Sequence, residues 1–231
     1  MKTQSIRLRG GVARVAAWHG RSDVANVALQ CRGAPATDEI ELLIDELRTA
    51  GYRAVLTNAL APGPSLPFVD CGFEVRGRLH LLALDFAGRP PAPSTRRTRR
   101  AGAADRPALL AVDAAAFDEF WTLDEVGLEQ AERATPRSHL RVGRAEPIGG
   151  YGLFGRAERV GYVQRLAVHP RAQSSGLGLA LLQDGLRWMR LRGARSAYVN
   201  TQDDNERALR LYERAGFRRL PVGLCVLGRD L

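Results

Sequence analysis

The chain has 231 residues, 45% of them apolar and 26% charged, which allows one large or two small soluble domains with a real core. No run of about 18 apolar residues occurs, so no transmembrane helix is expected, and three cysteines without a CxxC pair argue against a disulfide framework. The net charge of +9 is almost all arginine, with Lys2 the only lysine; it suits a phosphate-bearing ligand better than it marks a nucleic-acid binder.

The start, MKTQSIRLRGG, lacks the apolar stretch of a signal peptide, and a cytoplasmic protein is expected. Val12–Trp18 and Val24–Gln30 read as strands. Asp38–Ala50 reads as a helix with Ile40, Leu43, Ile44 and Leu47 on one face and Gly51 as its stop. Strands follow at Ala54–Asn58 and Phe73–Phe86. The segment Gly88–Ser94, GRPPAPS, marks a linker, so the domains are expected at 1–88 and 95–231 around a connection at 89–94. Thr95–Arg100 is either basic linker or the first strand of the second domain.

Helices are then expected at Arg106–Phe117 and Leu123–Ala134, and strands at His139–Val142, Gly150–Phe154 and Val160–Val168. Leu177–Leu191 carries Leu179, Leu182, Leu186 and Met189 at helical spacing and ends at Gly193. Ser196–Thr201 reads as a strand, Asn205–Ala215 as a helix stopped by Gly216, and Leu220–Leu227 as a closing strand. The expected class is therefore α/β, with helices around a mixed sheet.

Chemistry concentrates between Val163 and Phe217. A strand, VQRLAV, leads through His169-Pro170 into RAQSSGLG and a helix. Unbonded amides at a helix start attract anions, and Gly176 and Gly178 let a phosphate approach the backbone. No GK[ST] closes this turn, and GxGxxG is absent, so neither a Walker loop nor a dinucleotide fingerprint is present. His19, His80, His139 and His169 show no metal-ligand spacing, and no metal is expected.

The order LAVHP, Q-x-x-G-x-G, helix, strand and N-x-x-A-x-x-L-Y-E-R-x-G-F resembles the GNAT superfamily of acetyltransferases, strongly from Val163 to Phe217 and more loosely from Thr95. The resemblance implies the GNAT acyl-CoA N-acyltransferase fold, and an enzyme moving an acetyl group from acetyl-CoA to a primary amine in a ternary complex. It assigns Arg171, Gln173, Ser174, Ser175, Gly176, Leu177 and Gly178 to the CoA pyrophosphate. It assigns Leu166, Ala167 and Val168 to the pantetheine arm, Asn205 to the arm near the thiol, and Tyr212 to the general acid. The base is open: Asn200 stands where the ribosomal-protein alanine acetyltransferases carry a glutamate, leaving Glu158, Asp118 and Glu119 as carboxylates to weigh.

The family builds its acceptor side from the first two helices and their loop, which here assigns Phe117, Glu119, Phe120 and Trp121. The segment also carries Asp113, Asp118, Asp124, Glu125, Glu129 and Glu132, an acidic rim that would attract a cationic amine. Partners are thus acetyl-CoA and an amine, without membrane or nucleic acid, and with a homodimer left open. A non-catalytic acyl-CoA-binding regulatory module is the alternative.

The first half repeats the later spacings in a tandem pattern. Gly51 precedes Asn58, as Gly193 precedes Asn200, by seven positions; Thr57 precedes Gly72-Phe73, as Thr201 precedes Gly216-Phe217, by fifteen. Ala34, Pro35 and Ala36 fall where the cradle belongs, Phe68 where Tyr212 stands and Ala61 where Asn205 stands. A truncated, degenerate GNAT-like copy that binds no acetyl-CoA is expected.

Overall fold

The computed structural model describes residues 4–31, 33–87 and 96–231; the expected linker at 89–94 lies outside them. In chain order the elements are β1 (Gln4–Leu8), β2 (Gly11–Trp18), β3 (Arg21–Cys31), α1 (Thr37–Thr49), β4 (Ala54–Thr57), α2 (Pro62–Asp70), β5 (Glu74–Asp85) and β6 (Thr98–Arg100). They continue with α3 (Arg106–Ala116), α4 (Glu125–Arg133), β7 (Arg137–Gly143), β8 (Gly150–Ala157), β9 (Val160–Val168), α5 (Leu177–Leu191), β10 (Ser196–Gln202), α6 (Glu206–Arg214), β11 (Arg218–Arg219) and β12 (Leu224–Asp230).

Two compact units emerge. The first takes the chain up to Leu81 with Gln202–Asp204 and Leu220–Leu231; the second takes Leu82–Thr201 and Asn205–Arg219. The last strand therefore clusters with the first unit, whereas the sequence reading places it at the end of the second domain.

In the first unit β1, β2 and β3 form an antiparallel meander, β4 pairs parallel with β3, and β12 pairs antiparallel with both β4 and β5. The helix α1 spans the β3–β4 crossover and buries the predicted face of Ile40, Leu43, Ile44 and Leu47 against Val15, Val27, Val55 and Phe68. Helix α2 escapes the sequence reading because it holds Pro62, Pro64 and Pro67. The first two sit in the turn whose amides have no helical acceptor, so only Pro67 forfeits a bond. Burial of Phe68 anchors the helix.

In the second unit the strand order is β10-β9-β8-β7-β6, parallel between β10 and β9 and antiparallel elsewhere. Thr98–Arg100 is thus a strand rather than linker. Helix α5 packs on one sheet face through Leu182, Leu186 and Met189 beside Phe154 and Val163. Helices α3 and α4 cover the other through Leu109, Val112 and Leu128 beside Tyr151 and Val142. The α5 backbone comes so close to β8 that a Cβ on Gly185 would lie 2.3 Å from the Phe154 ring. The predicted closing strand at Leu220–Leu227 starts only at Leu224, as β12, because Pro221 has no amide to donate and the chain bends there; β11 precedes the predicted stretch. Among the described residues no helix is long and apolar enough to cross a membrane.

Candidate active site

The parallel strands β9 and β10 pair only through Ser196↔Val160, Ala197↔Gly161 and Tyr198↔Tyr162. Both run on, to Val168 and Gln202, without further pairing to one another. On its other edge β9 stays bonded to β8, with Gly150↔Val168, Tyr151↔Ala167 and Gly152↔Leu166. The backbone edge of Leu166, Ala167 and Val168 that faces away from β8 is therefore not paired with β10.

A turn at the open end of β9 leads into α5. The Gln173 side-chain amide donates to the Val168 carbonyl at 3.1 Å and ties the two ends of the turn together. The Ser175 hydroxyl donates to the Ala172 carbonyl at 2.7 Å, so the proton expected for phosphate is already committed. Ser174 (φ 58°) and Gly176 (φ 84°) both adopt the left-handed conformation. The first helical acceptor is filled by the Ala180 amide bonding Gly176 O at 3.0 Å, which leaves the amides of Leu177, Gly178 and Leu179 ahead of the ladder. A Cβ on Gly176 would meet only the Arg96 Nε, 4.0 Å away, whereas one on Gly178 would touch Val168 and Leu211 at 3.4 and 3.5 Å, so the turn is open at Gly176 and flanked there by a guanidinium. Arg171 is also exposed on the turn. The sequence reading gave Arg96 no such role.

Helix α6 presents Tyr212, only 5% exposed, with its ring edge-on to Phe217 at 5.8 Å. Burial raises its phenol pKa above the ordinary value, with the nearby Arg165 charge opposing. Asn205 caps the helix: its side-chain oxygen accepts from the Ala208 amide at 3.0 Å. Asn200 is exposed on β10. Glu158 sits in the β8–β9 hairpin with φ 48°, at the end of β9 where the strands are still paired, and is remote in sequence from the turn.

Phe117 to Leu123 form the loop between α3 and α4, in which the Trp121 ring lies 4.8 Å from that of Phe120. The expected acidic rim is mostly spent internally. Asp124 caps α4 by accepting from the Gly127 amide, Asp118 accepts from the Trp121 amide, and Glu125 and Glu132 both bind Arg106. Glu129 pairs with Arg133 along α4. Asp113 is fully buried and bound by Arg165, whose Nε and Nη2 donate to its two oxygens at 2.8 and 2.7 Å. The sequence held a signal for this pair: an arginine within the apolar strand VQRLAV and an aspartate beside Val112 must each find a partner if buried. Glu119 remains exposed.

Residues 107–217 match the acetyltransferase (GNAT) family model. This part of the chain, residues 107–217, belongs to the GNAT superfamily. Among relatives, mycothiol acetyltransferase of Amycolatopsis mediterranei is 33% identical over 200 residues, covering 76% of this chain and 65% of that protein. A second mycothiol acetyltransferase, from Geodermatophilus obscurus, is 31% identical over 175 residues, of which 55% of its length is covered. The chain thus spans less than two thirds of the curated relatives it matches. Among solved structures, a tandem GNAT protein from the clavulanic acid biosynthesis pathway has a TM-score of 0.66 at 15% identity, covering 96% of this chain and 79% of that one. A GCN5-related N-acetyltransferase from Sphaerobacter thermophilus gives 0.63 at 18% identity, covering 95% and 76%. These likenesses establish the GNAT α/β fold.

Proposed function

We propose that this GNAT protein is an N-acetyltransferase that moves the acetyl group of acetyl-CoA to a primary amine within a ternary complex. The observation that carries the reading is the parting of β9 from β10 directly beside the open turn at Gly176. In this reading the amides of Leu177 and Gly178, with Arg171 and the neighbouring Arg96, hold the pyrophosphate, while Gln173, Ser174 and Ser175 shape the turn. The backbone of Leu166, Ala167 and Val168 pairs with the pantetheine arm, and Asn205 sets the start of α6 near its thiol end.

The chemistry needs two proton transfers. The amine nitrogen attacks the thioester carbonyl, the C–S bond breaks, and Tyr212 donates its proton to the departing thiolate. A high phenol pKa keeps that proton in place until it is needed, which burial supports. The amine proton leaves to water or to Glu119, since Asp118 is engaged in its own turn and Glu158 lies at the paired end of β9. Phe117, Phe120 and Trp121 wall the acceptor side. The relatives' name places the acceptor of mycothiol acetyltransferase first among amines to test.

The first unit fits a partial copy that has lost the cradle. Gly51 and Gly193 close their helices with φ 86° and 88°, and Gly72 and Gly216 with φ 77° and 97°. Phe73 bonds Phe68 O, and Phe217 bonds Tyr212 O, both at 3.0 Å. Phe68 has no hydroxyl and Ala61 no capping side chain, so no transfer is assigned to this unit.

Calorimetry with acetyl-CoA and thiol release with dipeptides, polyamines, aminoglycosides and the mycothiol acetyltransferase acceptor test the reading. Amine-dependent release of CoA is the expected result. Tight binding without release by any amine favours the non-catalytic module, which the lack of a carboxylate at Asn200 recommends as second reading. No binding removes both.

A further inference from the structure

We propose that Arg165 is a positioning residue that fixes the acceptor loop, Phe117 to Leu123, against the strand along which the acyl donor lies. The inference rests on the transfer reading above. The Asp113 carboxylate accepts four hydrogen bonds: Arg165 Nε at 2.8 Å and Tyr151 Oη at 2.5 Å on Oδ2, with Arg165 Nη2 at 2.7 Å and the Leu123 amide at 2.8 Å on Oδ1. The same Arg165 Nη2 donates to the Trp121 carbonyl at 2.7 Å, and its Cζ stacks 3.6 Å over the Phe117 ring. One guanidinium on β9 and one carboxylate on α3 thus grip the loop at its start, near its middle and at its end.

Stability alone is a poor reason for such a pair. Asp113 is fully buried and the Arg165 side chain 13% exposed, and removing two charges from water costs about as much as their attraction returns. A pair of apolar side chains would fill the volume without that cost. What they could not supply is direction. The planar fork fixes both the spacing and the angle between β9 and the loop, which a lysine, offering one rotating ammonium, cannot do. Arg165 immediately precedes Leu166, Ala167 and Val168 and carries its charge near Tyr212. It therefore links the donor strand and the acceptor loop in one rigid set.

The test is hydrogen exchange with Arg165→Lys and Asp113→Asn, paired with acetyl-CoA calorimetry and kinetics with phenethylamine as probe amine. In both variants the amides of Trp121, Thr122 and Leu123 should exchange at least tenfold faster, while those of α5 and β8 keep their protection and acetyl-CoA affinity stays within twofold. The KM for phenethylamine should rise at least tenfold with kcat within about threefold. Loop exchange unchanged in both variants overturns the proposal, as does a uniform rise throughout the second unit, which would mark a merely structural pair. If phenethylamine is not turned over, the exchange arm decides alone. Failure of the unaltered chain to bind acetyl-CoA would remove the transfer reading instead, and exchange needs no ligand to report.

Discussion

Replacing Gly176 by aspartate, with asparagine as the isosteric control, separates charge from shape at the proposed pyrophosphate turn. Gly176 has φ 84°, so both residues must adopt the left-handed conformation. Asn and Asp visit that region at low cost, below the roughly 1–2 kcal/mol that other side chains pay. Space is not limiting, because the nearest atom to a Cβ there is Arg96 Nε at 4.0 Å. The two variants should therefore melt within about a degree of one another and differ only in the charge. A carboxylate about 5 Å from a phosphate charge costs about 3 kcal/mol at an effective dielectric constant near 20. The neighbouring guanidinium offsets part of this, leaving about 1.5–3 kcal/mol, or about a 10- to 150-fold loss of affinity. Titration calorimetry of acetyl-CoA should show that difference at low ionic strength and a smaller one near 1 M salt, where the Debye length falls to about 3 Å. Equal affinities for the Asp and Asn variants at low salt would refute the placement of phosphate at this turn.

Four further outcomes follow from individual residues. Tyr212→Phe should lower turnover about 10²- to 10⁴-fold while acetyl-CoA affinity stays within twofold; equal loss of both would make Tyr212 a packing residue. Burial also raises the phenols of Tyr151 and Tyr212, so stability is complete below pH 10.0 and should fall as pH rises beyond it, measured as melting temperature on the alkaline side. His139 stacks flat on Trp188 at 4.8 Å, and its pKa is pushed from 6.5 to about 4, chiefly by burial and then by Arg141. The unfolded chain takes up that proton first, so stability should decline as pH falls from 6.5 towards 4, and His139→Phe should flatten this part of the profile. Gly185→Ala places a methyl 2.3 Å from the fully buried Phe154 ring and should cost about 1–3 kcal/mol, read as a lower denaturant midpoint.

What could be read from sequence was whatever depends on period and punctuation. Leu177–Leu191 carries apolar residues at helical spacing between two glycines, and α5 spans that stretch. The strand β1 was missed because QSIRL buries fully only Ile6, and an edge strand with one inward side chain gives no alternation to detect. Helix α2 was hidden by prolines that are harmless in a first turn. At the site, the Gly176 turn was visible as a motif, whereas the acidic rim was misjudged. Counting carboxylates between Asp113 and Glu132 says nothing of partners distant in sequence, and Arg106 and Arg165 absorb three of them.

The role of Arg165 was hidden for a more specific reason. Along β8–β9 the partners step from Phe154↔Val163 to Leu153↔Arg165, so Gln164 is an extra residue in the ladder. In a regular strand Val163 and Arg165 would share a face, and Arg165 would point with Val163 towards α5. The bulge moves Arg165 to the opposite face, with Leu153 and Tyr151, where Asp113 waits on α3. A bulge also bends and further twists its strand. This one lies two residues past Tyr162, the last position at which β9 pairs with β10. A single inserted residue thus accounts for both halves of the proposed site. It turns the donor strand away from its neighbour, and it aims the arginine that holds the acceptor loop.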